Sequence, residues 1–304
     1  MQVTVQAMPT DRRHVTAPAR PDNMGMASAL RSVIAAAETH GDRENEYLGD
    51  DGLLHCKTCG DAVQTWVQLP FADEPRKVRC VCRCVKAAED RQRERDRRDM
   101  IERRRRLCFE GNEAMTDWNF NNDDQNRPEL TAAAMKYAEN FREYRRDGRG
   151  LLFWGPVGTG KTYLAASIAN KVIEMGYTAR LTNFAKVSDA LQSTWEKDEY
   201  IKDLLDHDLL IFDDLGAERK SEYMQEMVFK IIDARYCDGR PMIITTNLTS
   251  DELAKPGEIG YSRIYDRVLE RCLPVKVDGH SRRRQYAKRD WNEMRRALGM
   301  EVHT

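Results

Sequence analysis

Apolar residues in the second half of the chain alternate between short continuous runs and longer stretches with helical spacing. The runs at 151–154, 178–183, 208–213, 241–246 and 273–277 read as buried strands. Between and after them, 163–175, 185–195, 221–237, 259–271 and 281–298 read as helices. The helix at 221–237 sets Met224, Met227, Val228, Ile231 and Ile232 on one face. Strand and helix alternating through short links predict an α/β fold, a mainly parallel sheet with helices on both faces.

Upstream the pattern changes. Met135, Ala138, Phe141 and Tyr144 predict one helix over 132–144. Residues 86–106 are helix-prone and intensely charged, with almost no core positions, and read as an exposed spacer supported by Glu–Arg pairs one turn apart. Its arginines 103–106 have two readings, a solvated face or a contact to a phosphate backbone. Leu30, Val33, Ile34 and Ala37 predict an amphipathic helix closing near His40, after a leader of about 24 residues without a period. The expected organisation is a leader and amphipathic helix at 1–45, a cysteine-rich module at 46–86, a charged helical linker at 87–112 and the α/β domain at 113–304.

Composition narrows the classes. In 304 residues, 49 basic and 50 acidic side chains nearly cancel, so any nucleic-acid contact must come from local clustering. No apolar run reaches the roughly 18 residues of a membrane span, and the N-terminus lacks a signal peptide's apolar core; a cytoplasmic protein is expected, without membrane contact. Eight cysteines in such a compartment argue against disulfides, and five of them lie between positions 56 and 84.

Gly155-Pro156-Val157-Gly158-Thr159-Gly160-Lys161-Thr162 follows a predicted strand and opens a predicted helix at Tyr163. That is the setting of a phosphate-binding loop: main-chain N–H groups converge on phosphate oxygens, Lys161 reaches the β- and γ-phosphates, and Thr162 places its hydroxyl on Mg²⁺. ATP with Mg²⁺ is the expected ligand.

The run ending in Asp213-Asp214 brings two carboxylates to the carboxyl edge of the sheet. Asp213 is expected to hold Mg²⁺ through water and Asp214 to orient the attacking water, with Glu218 a second candidate. Asn247, ending the run Pro-Met-Ile-Ile-Thr-Thr, can hydrogen-bond water and γ-phosphate without adding charge; capping the next helix is its other reading. Arg263 and Arg267 share a helix face from which either can project to a neighbouring subunit's nucleotide, and Arg282, Arg283 and Arg284 follow downstream. Trp118 or Phe120 can wall the base. Phe184, Lys186 and Tyr223 mark a conceivable DNA-facing surface, without assignment to it.

Cys56 and Cys59 form one C-x-x-C pair, and Cys80, Cys82 and Cys84 follow as C-x-C-x-C. Four thiolates suit a structural Zn²⁺ site. The expected set is Cys56, Cys59, Cys82 and Cys84, with Cys80 possible and His55 a weaker substitute. An iron–sulfur cluster is the competing reading, disfavoured by the spacing.

The segments FNNDD, LLFWGPVGTGKTYLAASIAN, LLIFDDLGAER, IIDARY, PMIITTNL, RIYDR and DGHSRR together resemble the DnaC/DnaI helicase loaders and their relative, the IstB transposition ATPase, all AAA+ proteins. The likeness covers roughly 120–298, and the cysteine-rich module with its spacer resembles the N-terminal region of DnaI-type loaders. It implies an ATP-dependent oligomer that binds single-stranded DNA and docks on a DnaB-type replicative helicase; the alternative is an IstB-like helper that assembles on DNA and recruits a transposase. It further implies that Arg267 is the finger and Arg283 the second sensor. Asp214, where the wider class carries Glu, and the short tail after Val277 imply slow hydrolysis and a reduced C-terminal lid.

Overall fold

The computed structural model describes residues 43–300 apart from 69–73, 125, 219–220, 256 and 258. The leader and the amphipathic helix expected around Leu30 and Ala37 lie outside the described residues. The chain divides into two compact units, Met1–Arg95 and Asp96–Thr304.

In the first unit, β1 (Glu46–Leu48) pairs antiparallel with β2 (Leu54–Cys56), and β3 (Gln64–Val67) with β4 (Arg76–Arg79). Among its described residues the buried apolar cluster is only Cys56, Val63 and Cys82, with Leu54, Cys59 and Cys84 against it. Helix α1 (Arg83–Cys108) starts here and crosses the boundary between the units.

In the second unit, the end of α1 fits neither reading of the arginine run alone. Arg105 pairs with Glu174 at 2.6 Å, and Arg104 donates to the main-chain carbonyls of Gly176 and Tyr177. These cations sit at the turn that follows the C-terminal end of the helix after the phosphate loop, near the negative end of its dipole. Two of the four arginines therefore tie the end of α1 to that turn.

The expected helix over 132–144 is two helices, α2 (Pro128–Glu139) and α3 (Phe141–Asp147). Asn140 breaks it: its side-chain amide donates to Lys136 O at 2.8 Å and its own carbonyl accepts from Glu143 N, starting a new helix. The Rossmann-like alternation then runs β5 (Gly150–Trp154), α4 (Lys161–Glu174), β6 (Ala179–Thr182), α5 (Phe184–Ser193), α6 (Lys197–Leu205), β7 (Leu209–Leu215), α7 (Glu222–Asp238), β8 (Met242–Thr246), α8 (Ser250–Ala254), α9 (Ile259–Arg271), β9 (Cys272–Lys276) and α10 (Arg282–Ala297). Helices α6 and α8 were not expected; α8 is a single turn held by a capping box between Thr249 and Glu252.

The five strands are parallel in the order β6-β7-β8-β5-β9. Alternate strand residues part to opposite faces: Leu151, Phe153, Leu209, Ile211 and Ile243 pack with α2 and α4, whereas Leu152, Leu210, Phe212, Met242 and Ile244 pack with α5, α7 and α9. The result is a three-layer α/β arrangement, a parallel sheet between two layers of helices. Phe184, noted as a surface candidate, is buried and stacked on Phe212 at 4.6 Å. Arg235 is wholly buried and donates to the carbonyls of Leu205, His207, Asp208 and Pro241, which joins the entrances of β7 and β8. No helix among the described residues is long and apolar enough to cross a membrane.

Candidate nucleotide site and cysteine cluster

Residues 155–160 turn from β5 into α4 through three glycines at positive φ, Gly155 (141°), Gly158 (84°) and Gly160 (103°). A Cβ at Gly155 would stand 2.4 Å from Val277 O and one at Gly158 2.3 Å from Ser281 Oγ, so conformation and space both demand glycine. The loop wraps around the Lys161 side chain, 5% exposed, whose ammonium donates to Gly155 O (2.8 Å), Pro156 O (2.7 Å) and Asn247 Oδ1 (2.7 Å). Burial pulls the Lys161 pKa down, opposed by the charges of Asp214 and Asp213.

Strand order explains the rest. Because β8 lies between β5 and β7, residues at its end bridge the phosphate loop to the carboxylates. Thr162 and Thr245 both donate hydroxyls to Asp213 Oδ1, at 2.8 and 2.6 Å. Asn247 Nδ2 donates to Asp214 Oδ1 at 3.2 Å, while Asp214 N donates to Thr245 Oγ1 at 2.9 Å. Burial raises the Asp213 pKa, partly offset by the two threonine hydroxyls. Hard oxygen donors gathered on a half-buried carboxylate beside a lysine fit Mg²⁺ and a polyphosphate. Thr245 is absent from the sequence reading; its only signal was its position two residues before Asn247. Glu218 turns away: its Oε2 accepts from Gly216 N at 2.7 Å, which holds the loop after β7.

Lys161, Thr162, Asp214 and Asn247 line a cavity of about 560 Å³ together with Val157, Tyr163, Trp118, Arg282, Arg283 and Tyr286. Two α4 residues two turns apart hold the segment that carries Trp118. Tyr163 donates to Asn119 O at 2.7 Å and its ring lies 5.4 Å from that of Trp118; Asn170 donates to Met115 O and Trp118 O. Of the two aromatic candidates, Trp118 lines the cavity, whereas Phe120 packs against the core. Arg283 also lines it and its charge acts on both Lys161 and Asp213. Arg263 and Arg267 do not: Arg263 is exposed on α9, and Arg267 pairs with Asp233 at 2.5 Å with its guanidinium over Phe229.

In the first unit, the sulfurs of Cys56, Cys59, Cys82 and Cys84 all lie within 4.8 Å of one another. Cys80 is apart, exposed, its thiol donating to Ala62 O at 3.3 Å. His55 is also engaged elsewhere, with Gly60 O and Asp51. The N–H groups of Cys59 and Thr58 pull the Cys56 thiol down to about 6. Four soft donors closing on one point, in a unit whose described residues hold almost no other core, fit a structural Zn²⁺ ion.

Comparison with known proteins agrees with this geometry. The model of the IstB-like ATP binding protein family matches residues 81–290. The replicative helicase loader DnaC of Escherichia coli (strain K12) is 28% identical over 144 residues, 45% of this chain and 57% of that protein. The replicative helicase loader DnaI of Bacillus subtilis (strain 168) is 24% identical over 180 residues, 54% of this chain and 58% of that protein. The chain thus spans little more than half the length of these relatives. A crystal structure of DnaI aligns with a TM-score of 0.50 at 25% identity, covering 59% of this chain and 99% of that one. The family match runs through both flanks of the phosphate loop and most of the chain: the protein belongs to the IstB-like ATP-binding proteins and carries a P-loop fold of the AAA+ type, similar to the DnaC/DnaI-type helicase loaders.

Proposed function

We propose that this chain loads a DnaB-type replicative helicase onto single-stranded DNA, binding ATP and Mg²⁺ and hydrolysing ATP slowly within an oligomer. The observation that carries the reading is the chain of hydrogen bonds Lys161–Asn247–Asp214 beside Thr162–Asp213–Thr245, in a member of this family with two relatives named as helicase loaders.

Each residue has a defined task in that mechanism. Lys161 leaves its loop carbonyls to meet phosphate oxygens, and the main-chain N–H groups of residues 158–162 turn toward the same charge. Thr162 and Asp213 would hold the cation, which when bound would neutralise phosphate charge. Asp214 accepts a hydrogen bond from the attacking water and Asn247 orients that water between Asp214 and the terminal phosphate. Trp118 and Tyr163 wall the base. Arg283 balances charge in the same subunit, and Arg267 serves a neighbour's nucleotide. Cys56, Cys59, Cys82 and Cys84 hold Zn²⁺ and so fold the module that docks on the helicase. The protein works in the cytoplasm.

Lys161→Ala tests the reading. Loss of ATP-dependent assembly and of single-stranded DNA binding supports it, and unchanged behaviour refutes it. Binding should also fall steeply with salt, because phosphate contacts release counterions.

The family's own name favours one second reading, a transposition helper that assembles on duplex DNA. Co-purification with a DnaB-type helicase supports the loader. Failure of that capture, with ATP-dependent filaments on duplex DNA, supports the helper.

A further inference from the structure

Three distant segments meet over the phosphate loop, and one side chain joins them. Arg282, its side chain 16% exposed, sends Nη1 to Asp123 Oδ1 at 3.1 Å and Nη2 to Asp124 Oδ1 at 3.2 Å. Its main-chain N–H donates to Gly158 O at 2.8 Å. A Cβ placed on Gly160 would stand 3.2 Å from its guanidinium carbon.

The carboxylates are themselves fixed. Asp123 has no exposed side-chain surface and takes a second hydrogen bond from Thr131 Oγ1 at 2.8 Å; Asp124 accepts from both nitrogens of Asn126. The same turn begins at Asn119, whose carbonyl accepts from Tyr163 next to Trp118. Arg282 therefore fastens the first turn of α10 to the segment that walls the base end of the cavity.

The next residue, Arg283, has no ion pair among the described residues, yet it lines the cavity and its field reaches Lys161 and Asp213. Two adjacent arginines thus divide the work. One is neutralised as a tether, and its neighbour keeps an unspent charge.

We propose that Arg282, through Asp123 and Asp124, is a positioning residue that presents Arg283 and Tyr286 to the phosphate end of the bound nucleotide, coupling closure at the base to recognition of the terminal phosphate. Helix α10 has no buried side chain among the described residues, so little else is available to set its direction. The proposal rests on the ATPase reading above and names a discriminating part of that site. A merely structural Arg282 would affect ATP and ADP alike; a positioning Arg282 governs their ratio.

The test is calorimetric titration of the full chain with Mg-ATP and Mg-ADP. Arg282→Ala should lower the ATP-to-ADP affinity preference by about tenfold, the scale of one or two lost charge-assisted hydrogen bonds. Asp124→Asn should lower it in the same direction, and the double variant should lose no more than Arg282→Ala alone, because both changes cut one tether. Arg282→Lys, which keeps the charge and reaches one carboxylate, should recover part of the preference and guards against a folding defect in the alanine variant. A preference unchanged in a folded Arg282→Ala chain, or fully additive losses, overturns the proposal. Absence of ATP binding by the wild-type chain would instead remove the nucleotide reading itself, so the two failures are distinguishable.

Discussion

The ammonium of Lys161 donates to the side-chain oxygen of Asn247 at 2.7 Å, across two neighbouring strand ends. The amide's other end reaches Asp214. Asn247 therefore joins the lysine of the phosphate loop to Asp214, and on the function proposed above it would lie between the terminal phosphate and the attacking water, where its hydrogen bonds strengthen as charge develops.

Replacing Asn247 with Ala is expected to lower ATP turnover by about a hundredfold while leaving ATP affinity within about threefold. Phosphate release and equilibrium titration together check this. A loss confined to affinity would make Asn247 a ground-state binder.

Asp214 sits at φ 56°, the one non-glycine residue at positive φ among the described residues. Aspartate and asparagine tolerate that conformation better than longer side chains. The backbone thus accounts for Asp where a wider class has Glu. Asp214→Asn should keep stability within about 0.5 kcal/mol yet lose hydrolysis, whereas Asp214→Glu should cost about 1 kcal/mol without raising turnover. Urea denaturation beside turnover measurements decides it, and a stable, faster Asp214→Glu enzyme would refute the argument.

Burial raises the Asp213 pKa above its ordinary value of 3.8, with the threonine hydroxyls working against the shift. For an acid shifted upward, the unfolded chain releases its proton first. Folding stability is then lost as pH climbs from the unfolded value through the folded one, and it stays lost at neutral pH. In protein free of metal and nucleotide, Asp213→Asn should therefore raise Tm at pH 7, with the gain shrinking toward zero as pH falls below about 4. Thermal melts across pH in EDTA test the sign; a lower Tm at pH 7 would contradict it.

The strands and the phosphate loop were legible because short apolar runs and a fixed glycine spacing are local signals. The break at Asn140 was not, since no Gly or Pro marks it and a side-chain hydrogen bond makes it. Neither was the Arg282 tether: its partner Asp123 lies 159 positions away, and nothing in either segment encodes the pairing. Arg104 and Arg105 read as surface charge because their acceptors are main-chain carbonyls and a glutamate some seventy residues on. Asn247 was found from its place after a strand, whereas Thr245 one pleat earlier was taken for part of the strand alone.

The cysteine cluster yields a selective prediction. Cys59→Ser should abolish binding of about one zinc per chain and unfold the described part of the first unit, because the buried apolar cluster among its described residues, Cys56, Val63 and Cys82, is too small to hold it. Cys80→Ser should retain the metal. Metal analysis with far-ultraviolet circular dichroism measures both, and equal loss in the two variants would rule out the four-sulfur set.

Arg267 is held in its own subunit by Asp233 and lies over the rings of Phe229 and Tyr236, at 4.7 and 5.8 Å. To act on a neighbour it must leave that ion pair, whose side chains are 28% and 35% exposed and whose strength solvent screening reduces, so the release is within reach of assembly. Arg267→Ala should lower turnover of the assembled protein by about a thousandfold with ATP affinity unchanged. Mixing decides between a finger and a structural pair. Arg267→Ala chains keep intact nucleotide sites and Asp214→Asn chains keep intact Arg267, so a mixture should regain turnover that neither variant has alone. A mixture as inactive as its components would leave Arg267 as a clamp between α7 and α9, and the neighbour's charge would have to come from elsewhere on α9, with Arg263, exposed one turn earlier, the next residue to remove.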